Sequence, residues 1–384
     1  MLSDQIKKIL LISGSRGIDH ILIISIAALA SIGFVMIASA TLDFASLKYS
    51  TPFYFVIRHS IYLMLGISIA YIISKIKLQF YNDYSKLFLI TSFVLCLIVF
   101  IPGVGLTTHG ATRWLNLKII TIQVAEISRL FLLIWVASYI VRNNINQSFN
   151  KCLILVALLS VIILFQRDFG STVLLIAAFF SLSLIAGINA KKFFLYIFGA
   201  ILVLLPMIIF QPYRMKRIAT FINPWEDPLG GGFQLIASQL AFSKGGIFGL
   251  GLGSSVQKLS YLPESHNDFI FAIIGEELGL LFCVLIIFIF VLIITRIFIL
   301  ANQSNKNNLY FASYLAYIIG FLITYQALIH ILVNIGLAPT KGMGLPFISY
   351  GGTNLLVMFI CVGILIRIQI ENRQKISQAV QRGY

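Results

Sequence analysis

Charge is what this sequence has least of. Only 11% of its 384 residues are Asp, Glu, Lys or Arg, against about 25% in soluble globular domains. A soluble globule of this length could not cover its surface with so few polar groups, which excludes an ordinary cytosolic enzyme. Acids are the scarcest, 13 Asp and Glu against 28 Lys and Arg, for a formal net charge of +15. Cysteine is nearly absent as well. Cys96, Cys152, Cys283 and Cys361 lie in or beside apolar runs with neither paired nor metal-ligand spacing, which excludes a disulfide scaffold and a zinc site. No internal repeat is visible, which weakens an inverted-repeat transporter. Gly249, Gly251 and Gly253 match neither Gly-x-Gly-x-x-Gly nor the Walker pattern, so no nucleotide loop is read there.

What is present is apolar, 59% of the chain, and it comes in long runs. A bilayer core of about 30 Å takes about 20 residues of helix. Uninterrupted stretches predict an all-α, polytopic membrane bundle of ten helices, near 20–40, 54–74, 87–104, 121–141, 151–166, 170–189, 193–211, 269–300, 309–336 and 353–370. The first run follows Lys7, Lys8 and Arg16 and ends on Ala38-Ser39-Ala40, as a signal peptide might be written, but it is too long for one and reads as a retained helix. With the N-terminus in the cytoplasm, sixteen basic residues fall in inside segments and five in short outside loops: Lys48, Arg113, Lys118, Arg167 and Lys341. That asymmetry places both termini inside. The chain reads as one domain over 1–384, with a large outer loop at 212–268 broken by Pro and Gly. The net positive charge belongs to topology rather than to nucleic acid.

So few acids can be weighed singly. Asp4, Asp19, Asp43, Asp83 and Glu371 read as solvated loop residues. Glu126 and Arg129 share a helix face three residues apart; they read either as a self-neutralising ion pair or as the wall of a polar cavity. Asp268, before Phe269-Ile270-Phe271, reads either as a helix N-cap or as a general base at the outer membrane edge. Dipoles at a helix start favour the carboxylate and desolvation favours the acid. Glu276 and Glu277 are too far along that helix to pair with Asp268 and read as partners of another helix. Arg113, Lys118, Lys341 and the group Arg214, Lys216 and Arg217 could bind phosphate or anchor to headgroups.

Residues 257–279, Gln-Lys-Leu-Ser-Tyr-Leu-Pro-Glu-Ser-His-Asn-Asp-Phe-Ile-Phe-Ala-Ile-Ile-Gly-Glu-Glu-Leu-Gly, resemble a signature of the SEDS (shape, elongation, division and sporulation) peptidoglycan polymerases. Residues 339–352, Pro-Thr-Lys-Gly-Met-Gly-Leu-Pro-Phe-Ile-Ser-Tyr-Gly-Gly, resemble a second, and Gly110–Leu115 and Asn223-Pro224-Trp225 fit too. The resemblance covers nearly the whole chain and leans towards division rather than elongation members. It implies polymerisation of lipid II on the outer face of the bacterial cytoplasmic membrane, at the septum, with Asp268 taking the proton of the attacking 4-hydroxyl. It also implies Arg113, Glu126, Arg129, Glu264 and Lys341 as substrate contacts, with Ser349 and Tyr350 beside them. The implied partners are lipid II, the undecaprenyl-pyrophosphate-linked glycan strand, a class B penicillin-binding protein, other division proteins and membrane lipid. No cofactor is assigned; a divalent cation (Mg or Mn) assisting the pyrophosphate stays open, since no ligand set is visible.

Three segments depart from the family pattern. Gln123-Val124-Ala125-Glu126 stands for Gln-Pro-Ser-Glu, with Arg129 for the usual lysine. Gln166-Arg167-Asp168-Phe169-Gly170 stands for Gln-Pro-Asp-Phe-Gly, and His266-Asn267-Asp268 for His-Thr-Asp. Each keeps the charge and changes its frame. A lipid II flippase, an elongation-type polymerase and a scaffold for division proteins remain as rival readings.

Overall fold

The computed structural model describes residues 18–49, 51–108, 110–116, 121–259 and 262–381. Lys7, Lys8, Arg16, Lys118, Tyr261 and Arg382 lie outside the described residues. In chain order the helices are α1 (His20–Lys48), α2 (Tyr54–Lys75), α3 (Leu78–Asp83), α4 (Ser85–Ile98), α5 (Val124–Asn143), α6 (Ile145–Phe165), α7 (Phe169–Ile185), α8 (Ala190–Ile209), α9 (Pro212–Ile222), α10 (Phe233–Gly245), α11 (Ile270–Lys306), α12 (Tyr310–Asn334) and α13 (Gly352–Gln381). Seven of them, α1, α2, α5, α6, α11, α12 and α13, are long and apolar enough to cross a membrane. The shorter apolar helices α4 and α7 and the 20-residue α8 fall where the other three spans are expected.

Two features add to the expected bundle. The bundle carries a small antiparallel sheet, β1 (Gly105–Thr108), β2 (Ala111–Asn116) and β3 (Thr121–Gln123), in that order. It takes the first three residues of the expected fourth span, and α5 starts only at Val124. The stretch 212–268 is more than a bending loop, since it folds α9 and α10. Helix α9 opens with Pro212 at its start, where the missing N–H costs nothing. Helix α10 buries Leu235, Ile236, Ala237, Ser238 and Ala241, so this segment packs onto the bundle.

Close backbone approaches set the arrangement. A methyl group on Gly33 of α1 would lie 2.7 Å from the Ile348 Cα, so α1 runs against the 345–349 loop. Gly66 of α2 faces the Phe359 ring, and Gly363 of α13 faces the Ala70 carbonyl at 2.7 Å. Small residues let membrane helices pack this closely. At the far end from the sheet, Asp19 caps α1, pairs with Arg296 at 2.5 Å, and donates its N–H to Gln369 at 2.8 Å. Both ends of the described chain thus leave the bundle on one side. Asp19 and Glu371, which the sequence suggests are solvated, are engaged: Glu371 pairs with Arg367 and accepts from the Leu78 N–H.

Helix α11 breaks at Gly279, whose φ of +78° no helix contains. The freed groups are all taken up by the strand-like run 246–251. The carbonyls of Glu276 and Glu277 accept from Leu250 and Gly251, while Leu280 and Leu281 donate to Gly246 and Ile247. Gly249 must be glycine: its φ is +79°, and a methyl there would sit 2.2 Å from the Glu277 carbonyl oxygen. The glycines of this run serve a backbone-to-backbone junction.

Candidate active site

The junction fixes what precedes Asp268. Glu276 accepts from the Ser255 hydroxyl at 2.5 Å and from the N–H groups of Val256 and Gln257. Glu277 accepts from the Lys258 ammonium at 3.0 Å and the Ser39 hydroxyl of α1 at 2.6 Å. Both glutamates are fully buried. The other-helix partner expected for this pair exists in Ser39, but its main partners come from 255–258.

Asp268 is not a helix cap. The cap position of α11 is Phe269, with no side-chain cap bond. The first-turn N–H of Ala272 donates instead to Asn334 Oδ1 of α12 at 3.1 Å, and Asn334 Nδ2 holds the Asp268 carbonyl at 3.0 Å. Asn334 thereby holds the backbone and leaves the carboxylate out of it. Asp268 Oδ1 is buried without a hydrogen-bond partner, and Oδ2 lies over Gly342, 2.8 Å from where a methyl would stand. Burial first, then the Glu264 carboxylate, push the Asp268 acid up to about 7, against Arg113 and Arg217. Desolvation therefore outweighs the helix start.

The 339–352 segment closes over the carboxylate. Ser349 donates to the Asn267 carbonyl at 2.7 Å and accepts from the Leu345 N–H at 2.6 Å, so its hydroxyl shapes the loop. The Tyr350 N–H donates to the His266 carbonyl at 3.0 Å. Gln326 and His330 of α12 hold the carbonyls of Gly344 and Met343. Lys341 reaches across to α7, its ammonium resting on the bare face of Gly170 and 5.9 Å from the Phe169 ring centre. Burial pulls the Lys341 ammonium down to about 8, despite Asp168. Arg217 of α9 donates to the Thr340 carbonyl at 2.8 Å.

Asp168 joins these parts. It caps α7 through the Ser171 N–H at 3.0 Å, accepts from the Ser171 hydroxyl, and accepts from Gln123 of β3 at 2.9 Å. Burial opposes its charge, but Lys341, the Ser171 bonds and Arg113 hold its carboxyl below the usual carboxylate range. Arg167 before it stands at φ +60°, which proline's ring cannot reach. The altered frame at that position thus follows from the backbone. Glu264, exposed, is also left-handed, at φ +55°, and its carbonyl accepts from the N–H groups of 267, 268 and 269. Such strained positions gather where a site over-determines its backbone.

Arg113 of β2 is half-buried, and Glu126 and Arg129 of α5 are buried. Arg113 Nε, Glu126 Oε2 and Arg129 Nε have no hydrogen-bond partner among the described residues. The expected self-neutralising ion pair between Glu126 and Arg129 is therefore not formed in full. Together with Asp268 Oδ1, four unsatisfied buried polar atoms meet at one end of the bundle. Unpaired buried groups are costly, about 1–3 kcal/mol each, and a polar ligand would satisfy them. Asp168 has no assigned role in the sequence reading, whereas Arg217 belongs to the basic group expected there to bind phosphate or headgroups. Its cations Arg113, Arg129, Arg217 and Lys341 stand among the carboxylates Glu126, Asp168 and Asp268, and among the described residues no three His, Cys, Asp or Glu side chains group to hold a metal ion by themselves.

A family model described as cell cycle protein, for FtsW, RodA and SpoVE, matches residues 19–374. The chain belongs to this family. Within it, a probable peptidoglycan glycosyltransferase FtsW of Coxiella burnetii is 37% identical over 358 residues, covering 92% of this chain and 96% of that one. A protein so named from Buchnera aphidicola is 39% identical over 355 residues, covering 91% of this chain and 100% of the other. The fold is shared with a chain from a peptidoglycan synthase complex that coordinates polymerization and crosslinking, at TM-score 0.73, 22% identity, and 92% and 98% coverage. It is shared too with the rod shape determining protein RodA of Thermus thermophilus, at TM-score 0.66, 20% identity, and 91% and 96% coverage. The FtsW/RodA/SpoVE fold accounts for the multi-pass membrane bundle and for the order of its elements.

Proposed function

We propose that this chain is a peptidoglycan glycosyltransferase that polymerises lipid II, with Asp268 as its general base. The observation that carries the reading is the Asp268 carboxylate, half-buried, unpaired at Oδ1 and set between the Glu264 carboxylate and the cations Arg113 and Arg217. The relatives named FtsW support the reaction class. In the reaction, the 4-hydroxyl oxygen of one disaccharide attacks the anomeric carbon of another. The bond from that carbon to the pyrophosphate oxygen breaks, its electron pair leaves with undecaprenyl pyrophosphate, and the hydroxyl proton passes to Asp268. Arg113, Arg129, Arg217 and Lys341 supply fixed positive charge where negative charge develops on the leaving group, which is the most effective form of electrostatic catalysis. Glu126 and Glu264 orient the sugars, and Glu264 keeps Asp268 basic. Tyr350 lines the same mouth.

Two ionisations bracket the rate. Asp268 works as the carboxylate, so the rate rises as pH climbs through about 7. Lys341 works as the ammonium, so the rate falls as pH climbs through about 8. The expected profile of kcat/KM is a narrow bell, measured by glycan formation from lipid II between about pH 5.5 and 9.5. A flat profile would contradict both assignments.

Gly170→Ala tests Lys341 without touching it. The added methyl would fall 1.6 Å from the ammonium nitrogen, the far end of a flexible chain, so the fold survives and the charge is displaced. Misplacement by about 1 Å costs as much as 100-fold, and a loss of roughly ten- to 100-fold in polymerisation with an unchanged melting temperature is expected. Wild-type activity would remove Lys341 from the machinery.

In the same reading the sheet end faces outward, both chain ends are cytoplasmic, and the protein acts at the division septum beside a class B penicillin-binding protein that cross-links the strand. The FtsW relatives favour this division role over elongation.

A further inference from the structure

The 262–268 turn has a second face, and no residue of the mechanism above except Tyr350 touches it. His266 stands there among rings, 5.0 Å from Phe55, 5.6 Å from Tyr350 and 6.2 Å from Phe44, centre to centre. Phe55 and Tyr350 meet edge to face at 5.2 Å. Beneath them His59 of α2 is wholly buried, its ring 6.3 Å from Tyr350, and neither ring nitrogen has a hydrogen-bond partner among the described residues. A buried imidazole offers one donor and one acceptor and is costly with both unmet. Two cations edge this wall. The Lys48 ammonium lies 5.3 Å from the Phe44 ring centre, and the Arg58 guanidinium lies 5.2 Å from that of Tyr54, donating to its hydroxyl at 2.7 Å.

Polymerisation joins two pyrophosphate-linked sugars at once, so the base must stand between two anion sites. Arg113, Arg129, Arg217 and Lys341 form the denser group, suited to a pyrophosphate that gains charge as its bond breaks. The other substrate keeps its pyrophosphate bond and needs only to be held. Aromatic faces with a few convergent polar groups are what a saccharide site requires, and Lys48 and Arg58 supply the charge for an anion.

We propose that this second face is the acceptor subsite, where the acceptor disaccharide lies against Phe55, His266 and Tyr350, bonds to His59, and is held through its pyrophosphate by Lys48 and Arg58. The proposal rests on the polymerase reading. It assigns the acceptor and donor to opposite sides of the turn that ends in Asp268. After each cycle the strand's new pyrophosphate has to cross from the Lys48 and Arg58 side to the Arg113 and Lys341 side.

The test uses the full chain with its transpeptidase partner and lipid II. In the double variant Lys48→Gln/Arg58→Gln, KM for lipid II should rise about tenfold or more, the loss of a charge-assisted contact, while kcat at saturation stays within about twofold. His59→Phe, which keeps the ring and removes both nitrogens, should raise KM likewise, and Arg58→Lys should retain most of the affinity. An unchanged KM in both the double variant and His59→Phe overturns the proposal and leaves these rings as an interfacial aromatic belt. Absence of polymerisation by the wild type would instead count against the polymerase reading.

Discussion

Asp268→Asn should lower lipid II polymerisation by about 100- to 10,000-fold, the usual range for a lost general base, without loss of fold. Asparagine keeps the shape that rests on Gly342 and the backbone bonds to Asn334, and removes only the charge and the basicity. The stability effect has a definite sign. Burial raises the folded Asp268 carboxyl from 3.8 to about 7, so the folded state disfavours the carboxylate. That penalty is absent below 3.8 and fully present above about 7. At neutral pH and above, the Asn variant should therefore melt at or above the wild-type temperature. An inactive variant that melts lower would place the defect in folding; an active one would remove the base.

Glu277→Leu should be the most damaging single change to stability. It leaves the Lys258 ammonium, 3% exposed, without the carboxylate 3.0 Å away and strands the Ser39 hydroxyl. Breaking a buried pair from one side costs about 3–5 kcal/mol, whereas replacing both partners by apolar groups often costs far less. Unfolding in a denaturing-detergent titration should show that loss for Glu277→Leu and a substantial recovery in Glu277→Leu/Lys258→Met. Because the pair ties the 255–258 run to α1 and α11, the single variant should also lose polymerisation, and the double variant should recover part of it. A loss below about 1 kcal/mol in the single variant would mean that the pair does not hold this segment.

Apolar runs were enough to read the spans, since a bilayer imposes length and hydropathy that survive any detail of packing. The sheet was not legible. Its strands are three to six residues long, too short for an alternation to stand out between spans. Helices α9 and α10 did leave signals, Pro212 at one start and Gly245-Gly246 at one end, in a stretch whose glycines and prolines suggested only bends. Asp268 shows the limit most clearly. Position alone favours a cap, and what releases its side chain is Asn334, 66 residues away. The partners of Glu276 and Glu277 were equally hidden, because they lie in the 255–258 run and at Ser39 of α1, which only the folded backbone brings to α11. Glu126 and Arg129 do share a face, as their spacing says, yet each keeps an unpaired atom that a helical wheel cannot foresee.

The most direct test is to give purified protein, reconstituted in vesicles with its transpeptidase partner, lipid II on the side that the sheet end faces, and to follow strand length and lipid movement in the same sample. The account predicts glycan strands, release of undecaprenyl pyrophosphate for each bond made, and no strands from Asp268→Asn. Transfer of lipid II across the bilayer with no strand formed would contradict it and favour a transporter.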